Sequence, residues 1–162
     1  MNKRRLLYSG LLVLISFWLG WTALVDFIVV PGVFGHINNF FEAGDLGIHL
    51  FTKLNNLELI LASAMIIILV LMSRKNKKSL PLLVGSVLAF AITLTYFTWL
   101  IPKISDLTEF WKLSEAGKSI PINDIQQVHQ HYHRMYIVLD SVKMLLLSLM
   151  MGVTIFKEEW TA

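Results

Sequence analysis

Five polar residues in the last third of the chain recur at helical spacing: His129, His133, Tyr136, Asp140 and Lys143. Steps of four, three, four and three residues put all five on one face of a helix. That face runs into an apolar segment reaching Phe156. In lipid, such a stripe could bind a ligand, relay protons or chelate a metal, because ionisable groups inside a membrane are rare and usually serve function. Asp26, Asn55 and Glu58 sit at the ends of other apolar runs and are the groups that could answer it. The candidate lining of an intramembrane polar cavity is therefore Asp26, Asn55, Glu58, His133, Tyr136, Asp140 and Lys143. A lysine left unpaired at the depth of Lys143 would cost at least ~2.5–3.5 kcal/mol. Asp140, three residues away on the same face, is its nearest expected partner, with Asp26 and Glu58 arriving from neighbouring helices. The competing reading is packing. Paired polar groups also fix helix register in a bundle that has no hydrophobic drive between its helices.

The histidines carry a second chemistry. His129 and His133 lie one turn apart, a spacing that can chelate a divalent metal. They need further ligands, and His36, His49 or Glu58 would have to supply them. No HExxH pattern is present. Haem needs histidines on facing helices at matching depth, and His36 and His49 fall outside the apolar runs. No cofactor is expected. There is no GxSxG elbow, no triad-like arrangement and no Gly-rich phosphate loop, so a non-enzymatic reading is preferred. The absence of cysteine excludes disulfides and thiolate chemistry.

The elements that position these groups are membrane spans. The 162 residues are 56% hydrophobic and 15% charged, with a mean hydropathy of +0.64. That is too apolar for an ordinary soluble domain. Four runs approach or exceed the length that crosses a bilayer: residues 6–30, 54–72, 80–101 and 133–156. The fold class is all-α, an integral membrane four-helix bundle in one domain spanning residues 1–162. The first run is too long for a secretory signal and lacks a small-x-small cleavage site, so it reads as an uncleaved span. Residues 31–53 open on Pro31-Gly32, a breaker, then mix polar and aromatic residues. A short interfacial helix in the first outer loop is expected there. Pro102 is expected to stop the third span. Pro121, Asn123 and Asp124 resemble a helix start ahead of the last span. Gly85, Ser86, Ala89 and Ala91 would let a helix approach closely, within the bundle or on a membrane-protein partner. No internal repeat and no low-complexity tract is apparent.

Charge orients the bundle. The N-terminal tail and middle loop hold seven Lys/Arg (Lys3, Arg4, Arg5, Arg74, Lys75, Lys77, Lys78) and no acid. The two other loops hold Lys53, Lys103, Lys112 and Lys118 against six acids. By the positive-inside rule both termini are cytoplasmic and both long loops face outward. The expected location is the inner membrane of a bacterium. The basic clusters sit beside spans, so no nucleic-acid partner is expected.

Two blocks carry a resemblance. GWTALVDFIVVPGVFGH, residues 20–36, is followed by AGDLGIHLF, residues 43–51. This is similar to a small-residue helix ending in apolar-Pro-x-x-Phe, then Ala-Gly and an amphipathic segment. The third helix ends in Pro102-Lys103, and the last carries His133, Asp140 and Lys143 where the family typically shows His, Asn and Gln. Over roughly residues 20–152 the chain resembles the domain of unknown function 4149 family and the transmembrane protein 205 group. The resemblance implies a four-helix membrane protein and no particular chemistry. In size and topology the chain is also similar to the anthrone-oxygenase-like membrane family, which would imply a cofactor-free oxygenase pocket. The function expected is binding or passage of a small ligand or proton through an outward-facing polar cavity. The alternatives are a small membrane oxidoreductase using haem, quinone or no cofactor, and an assembly subunit of a membrane complex.

Overall fold

The computed structural model describes residues 3–74, 79–117 and 122–159, and among them all regular structure is helical. Helix α1 (Lys3–Leu24) passes through a π-helical turn (Val25–Val29) directly into α2 (Val30–His36). Pro31 is the cause. It has no N–H, and its ring would strike the carbonyl four residues earlier in a regular helix. Widening one turn lets the Val30 N–H reach the Val25 carbonyl and carries the chain past the proline. The same device recurs at Pro102: α4 (Leu80–Thr95) meets a π turn (Tyr96–Leu100) and continues as α5 (Ile101–Glu115). Neither proline ends its helix, contrary to the expected stops.

Helix α3 (Phe40–Ser73) is capped by Asn39, whose Oδ1 accepts from the N–H groups of Phe41 and Glu42. The expected separate interfacial helix is not formed. Its first part is α2, continuous with span one, and its remainder is the first turns of α3. Ala43, Gly47 and Leu54 explain the continuity, because their helical spacing buries one face without a break. Phe34 of α2 folds back to within 3.7 Å of the position a Cβ on Gly47 would take. Helix α6 (Ile122–Glu159) is the longest element. Pro121, the side chain of Asn123 and basic residues 75–78 lie outside the described residues.

Four rods result, each long and apolar enough to cross a membrane. The protein is an all-α integral membrane four-helix bundle. Around it the order is α1, α3, α4, α6, each packed on its neighbours, with α1 diagonal to α4 and α3 diagonal to α6. Leu11, Ile15, Ala62, Met65, Leu69 and Leu82 fill the centre. Val13, Ile60, Ile67 and Leu145 face outward and stay exposed, as helices apolar all round do in lipid. The small-residue face of α4 is used internally. Gly85, Ser86 and Ala89 are buried, and a Cβ on Gly85 would lie 2.8 Å from Met150 Sδ of α6.

Candidate functional site

Helices α3 and α6 are diagonal, yet they meet through two side chains at the centre. Lys143 Nζ lies 2.6 Å from Glu58 Oε1, and both side chains are fully buried. Lys143 also pairs with Asp140 Oδ1 at 2.5 Å, one turn along its own helix. Glu58 Oε1 accepts two more hydrogen bonds, from Trp18 Nε1 and Thr22 Oγ1 of α1, each 2.9 Å. Asp26, in the first π turn, faces Asp140 within hydrogen-bonding reach. The cluster thus joins three helices through one cation and three acids.

Trp18 and Thr22 were not among the expected site residues. A signal was present: Trp18, Thr22 and Asp26 recur every four residues, so α1 carries its own polar-capable stripe.

An aromatic layer covers the cluster. The Lys143 ammonium lies 5.2 Å from the centre of the Tyr96 ring, inside the range of a cation–π contact. Tyr96 stacks on Tyr136 at 4.6 Å, and Phe51 leans on Tyr136 at 4.8 Å. Beyond Tyr136 a pocket of about 730 Å³ opens between α2, the start of α3, α5 and the start of α6. Phe34, Phe40, Phe41, Phe51 and Trp111 give it apolar walls, with Gln126, His129, Gln130, His133, Arg134 and Glu115 as its polar groups. Trp111 meets Phe40 at 5.3 Å and His129 edge-on at 5.6 Å. His129 Nε2 is 3.2 Å from Thr108 Oγ1, which holds the ring in place. A rim ion pair, Lys112 to Asp45 at 2.6 Å, ties α5 to α3.

The seven expected cavity residues therefore fall in three places. His133 and Tyr136 line the outer pocket. Asp26, Glu58, Asp140 and Lys143 form the inner cluster. Asn55 sits in a separate cleft of about 250 Å³ between α3 and the π turn before α5. Both amide atoms of Asn55, Glu58 Oε2 and the hydroxyls of Tyr96 and Tyr136 are buried without a partner among the described residues. Each such group costs roughly 1–3 kcal/mol unless water or a ligand meets it.

His129 and His133, the metal candidates, stack with rings 7° from parallel and centres 6.4 Å apart. Among the described residues no group of three or more His, Asp or Glu comes together in a metal-holding arrangement. His36 is exposed and bonds the Gly32 carbonyl of its own helix at 2.8 Å, while His49 and His131 are exposed elsewhere.

No curated protein and no solved structure matches this chain. One family description does, "Domain of unknown function (DUF4149)", over residues 13–109. The matched stretch carries Trp18, Thr22, Asp26, Asn55, Glu58 and Tyr96, and stops before α6 supplies Asp140 and Lys143. The chain belongs to the DUF4149 family.

Proposed function

We propose that this membrane protein binds a flat, lipid-soluble ligand carrying hydrogen-bond acceptors in its outer aromatic pocket. Quinone-like rings are the chemistry that fits best. The observation that carries the reading is the pocket's composition: aromatic walls with imidazole, amide and guanidinium donors among them, in about 730 Å³. That volume falls within the ~300–1,000 Å³ of small-molecule sites. Apolar rings favour a planar guest, and Gln126, Gln130, His133 and Arg134 offer donors to its carbonyls. Tyr136 forms the floor. The charge cluster below it holds α1, α3 and α6 in fixed register and so keeps the floor in place.

The asymmetry of Lys and Arg supports a pocket facing away from the cytoplasm, with both chain ends cytoplasmic. An inner bacterial membrane is the setting proposed. A second reading, proton passage, is favoured by the Asp26–Asp140 contact beneath the floor.

Duroquinone titrated into the purified protein in nanodiscs tests the binding reading. Quenching of Trp111 is expected to saturate. Trp111→Phe should remove the saturable component, and His133→Leu should weaken binding about tenfold, the loss of one hydrogen bond. Quenching that rises linearly and equally in wild type and Trp111→Phe sinks the reading.

A further inference from the structure

The two halves of the bundle keep one burial register although their side chains differ. In α1 and the first residue of its π turn the buried positions between residues 8 and 25 are 8, 11, 15, 18, 22 and 25. Adding 71 gives 79, 82, 86, 89, 93 and 96, all buried, from Ser79 through α4 to the first residue of its π turn. The same shift carries the π turn Val25–Val29 onto Tyr96–Leu100, and Pro31 onto Pro102. Helices α3 and α6 match in turn: buried positions 55, 58, 62, 65 and 69 plus 85 give 140, 143, 147, 150 and 154, all buried, while buried 54 and 61 map to half-buried 139 and 146. Packing follows the same rule, since α1 on α6 corresponds to α4 on α3. The chain is thus two parallel helix-pair repeats around an axis along the bundle, a membrane architecture with known precedent. Glu58 and Lys143 are each other's equivalents. Because they touch at 2.6 Å, they straddle that axis.

The repeat shows what is special about the cleft at Asn55. Asn55 is the equivalent of Asp140, and Phe97 of Asp26. In one half Asp26 brings a carboxyl to Asp140. In the other, Phe97 and Asn55 line a cleft of about 250 Å³ with Ile48, Thr52 and Ile101. Both amide atoms of Asn55 are buried there with no partner among the described residues. The Asn amide presents a donor and an acceptor side by side, the complement of a protonated carboxyl group. Phe97 is 47% exposed on the apolar outer face of the bundle, so the cleft opens toward lipid.

We propose that the Asn55 cleft binds the protonated carboxyl group of a long-chain carboxylic acid entering from the bilayer. The guest's carboxyl occupies the place that the Asp26 side chain fills in the other half. A turn of the Asn55 side chain into the cleft gives the carboxyl two hydrogen bonds, and the alkyl chain leaves past Phe97.

Oleic acid labelled with ¹³C at the carboxyl carbon, titrated into the full-length protein in nanodiscs, tests this. Wild type should show a saturable carboxyl shift. Asn55→Leu, which removes two unmet polar atoms and so should not harm the fold, is expected to weaken binding about tenfold or more. Phe97→Asp supplies the missing carboxyl from within and should block the site. Methyl oleate, which cannot donate, should not compete. Equal binding by wild type and Asn55→Leu, or full competition by methyl oleate, overturns the proposal. Duroquinone quenching of Trp111 should be unchanged in Asn55→Leu, so failure here and failure of the outer-pocket reading are separable.

Discussion

Lys143→Met removes the cation on which Glu58 and Asp140 both depend. At 2.6 Å and an effective dielectric constant of about 20, the Coulomb attraction to Glu58 is about 6 kcal/mol, and that to Asp140 is similar. Desolvation of the buried ions offsets most of this, several kcal/mol per ion. The intact cluster therefore contributes little net stability, whereas the loss of one partner leaves uncompensated buried charge. The expected cost of Lys143→Met is about 3–5 kcal/mol. Removing the opposing charge of Glu58 as well should recover part of it. In Glu58→Gln the amide oxygen can still accept from Trp18 and Thr22. The double variant Glu58→Gln, Lys143→Met should therefore be more stable than Lys143→Met alone, though Asp140 keeps it below wild type. Reversible unfolding in mixed micelles, followed by tryptophan fluorescence, gives the four corners of the cycle. A Lys143→Met protein as stable as wild type, or a double variant no better than the single, would refute the argument that Lys143 neutralises Glu58 at the centre.

Other expectations follow from single contacts. Trp18→Phe deletes a hydrogen bond to a buried carboxylate and should cost about 1.5–3 kcal/mol in the same unfolding assay. Gly85→Ala must displace Met150 and should destabilise by about 1 kcal/mol or more. Gly20→Ala, with open space around the new methyl, should be neutral or stabilise by up to about 1 kcal/mol. Lys112→Ala breaks a rim pair whose acid is 53% exposed. Chemical denaturation should register less than about 1 kcal/mol, shrinking further in high salt. The charge-swapped protein Glu58→Lys, Lys143→Glu should be more stable than either single reversal, because the two positions are equivalent about the bundle axis.

The spans and their number were legible because apolar run length reports them directly. So was the pairing of Asp140 with Lys143, which needs only a three-residue step on one helix. Glu58 could be named as a partner because a buried lysine needs one. Three things were hidden. Pro31 and Pro102 look like terminators, yet a single widened turn absorbs each and lets the helix continue, which an isolated proline in a sequence does not announce. The polar stripe reads as continuous on α6. Tyr96 arrives from another helix to stack on Tyr136 and cover the cluster, which one helix's spacing cannot foretell. The repeat was invisible because the two halves keep burial and proline register while exchanging Trp18 for Ala89, Asp26 for Phe97 and Glu58 for Lys143.

The outer pocket is tested most directly by a single cysteine, since the chain has none of its own. Gly44 lines the pocket and has nothing within 4 Å of an added Cβ, so Gly44→Cys should fold normally. A membrane-impermeant maleimide applied outside intact cells should label it, and duroquinone should protect it saturably. Lys103→Cys, on α5 away from the pocket lining, should label with or without the quinone. Labelling of Gly44→Cys that is indifferent to duroquinone, or that occurs only from the cytoplasmic side, would contradict an outward-facing ligand pocket.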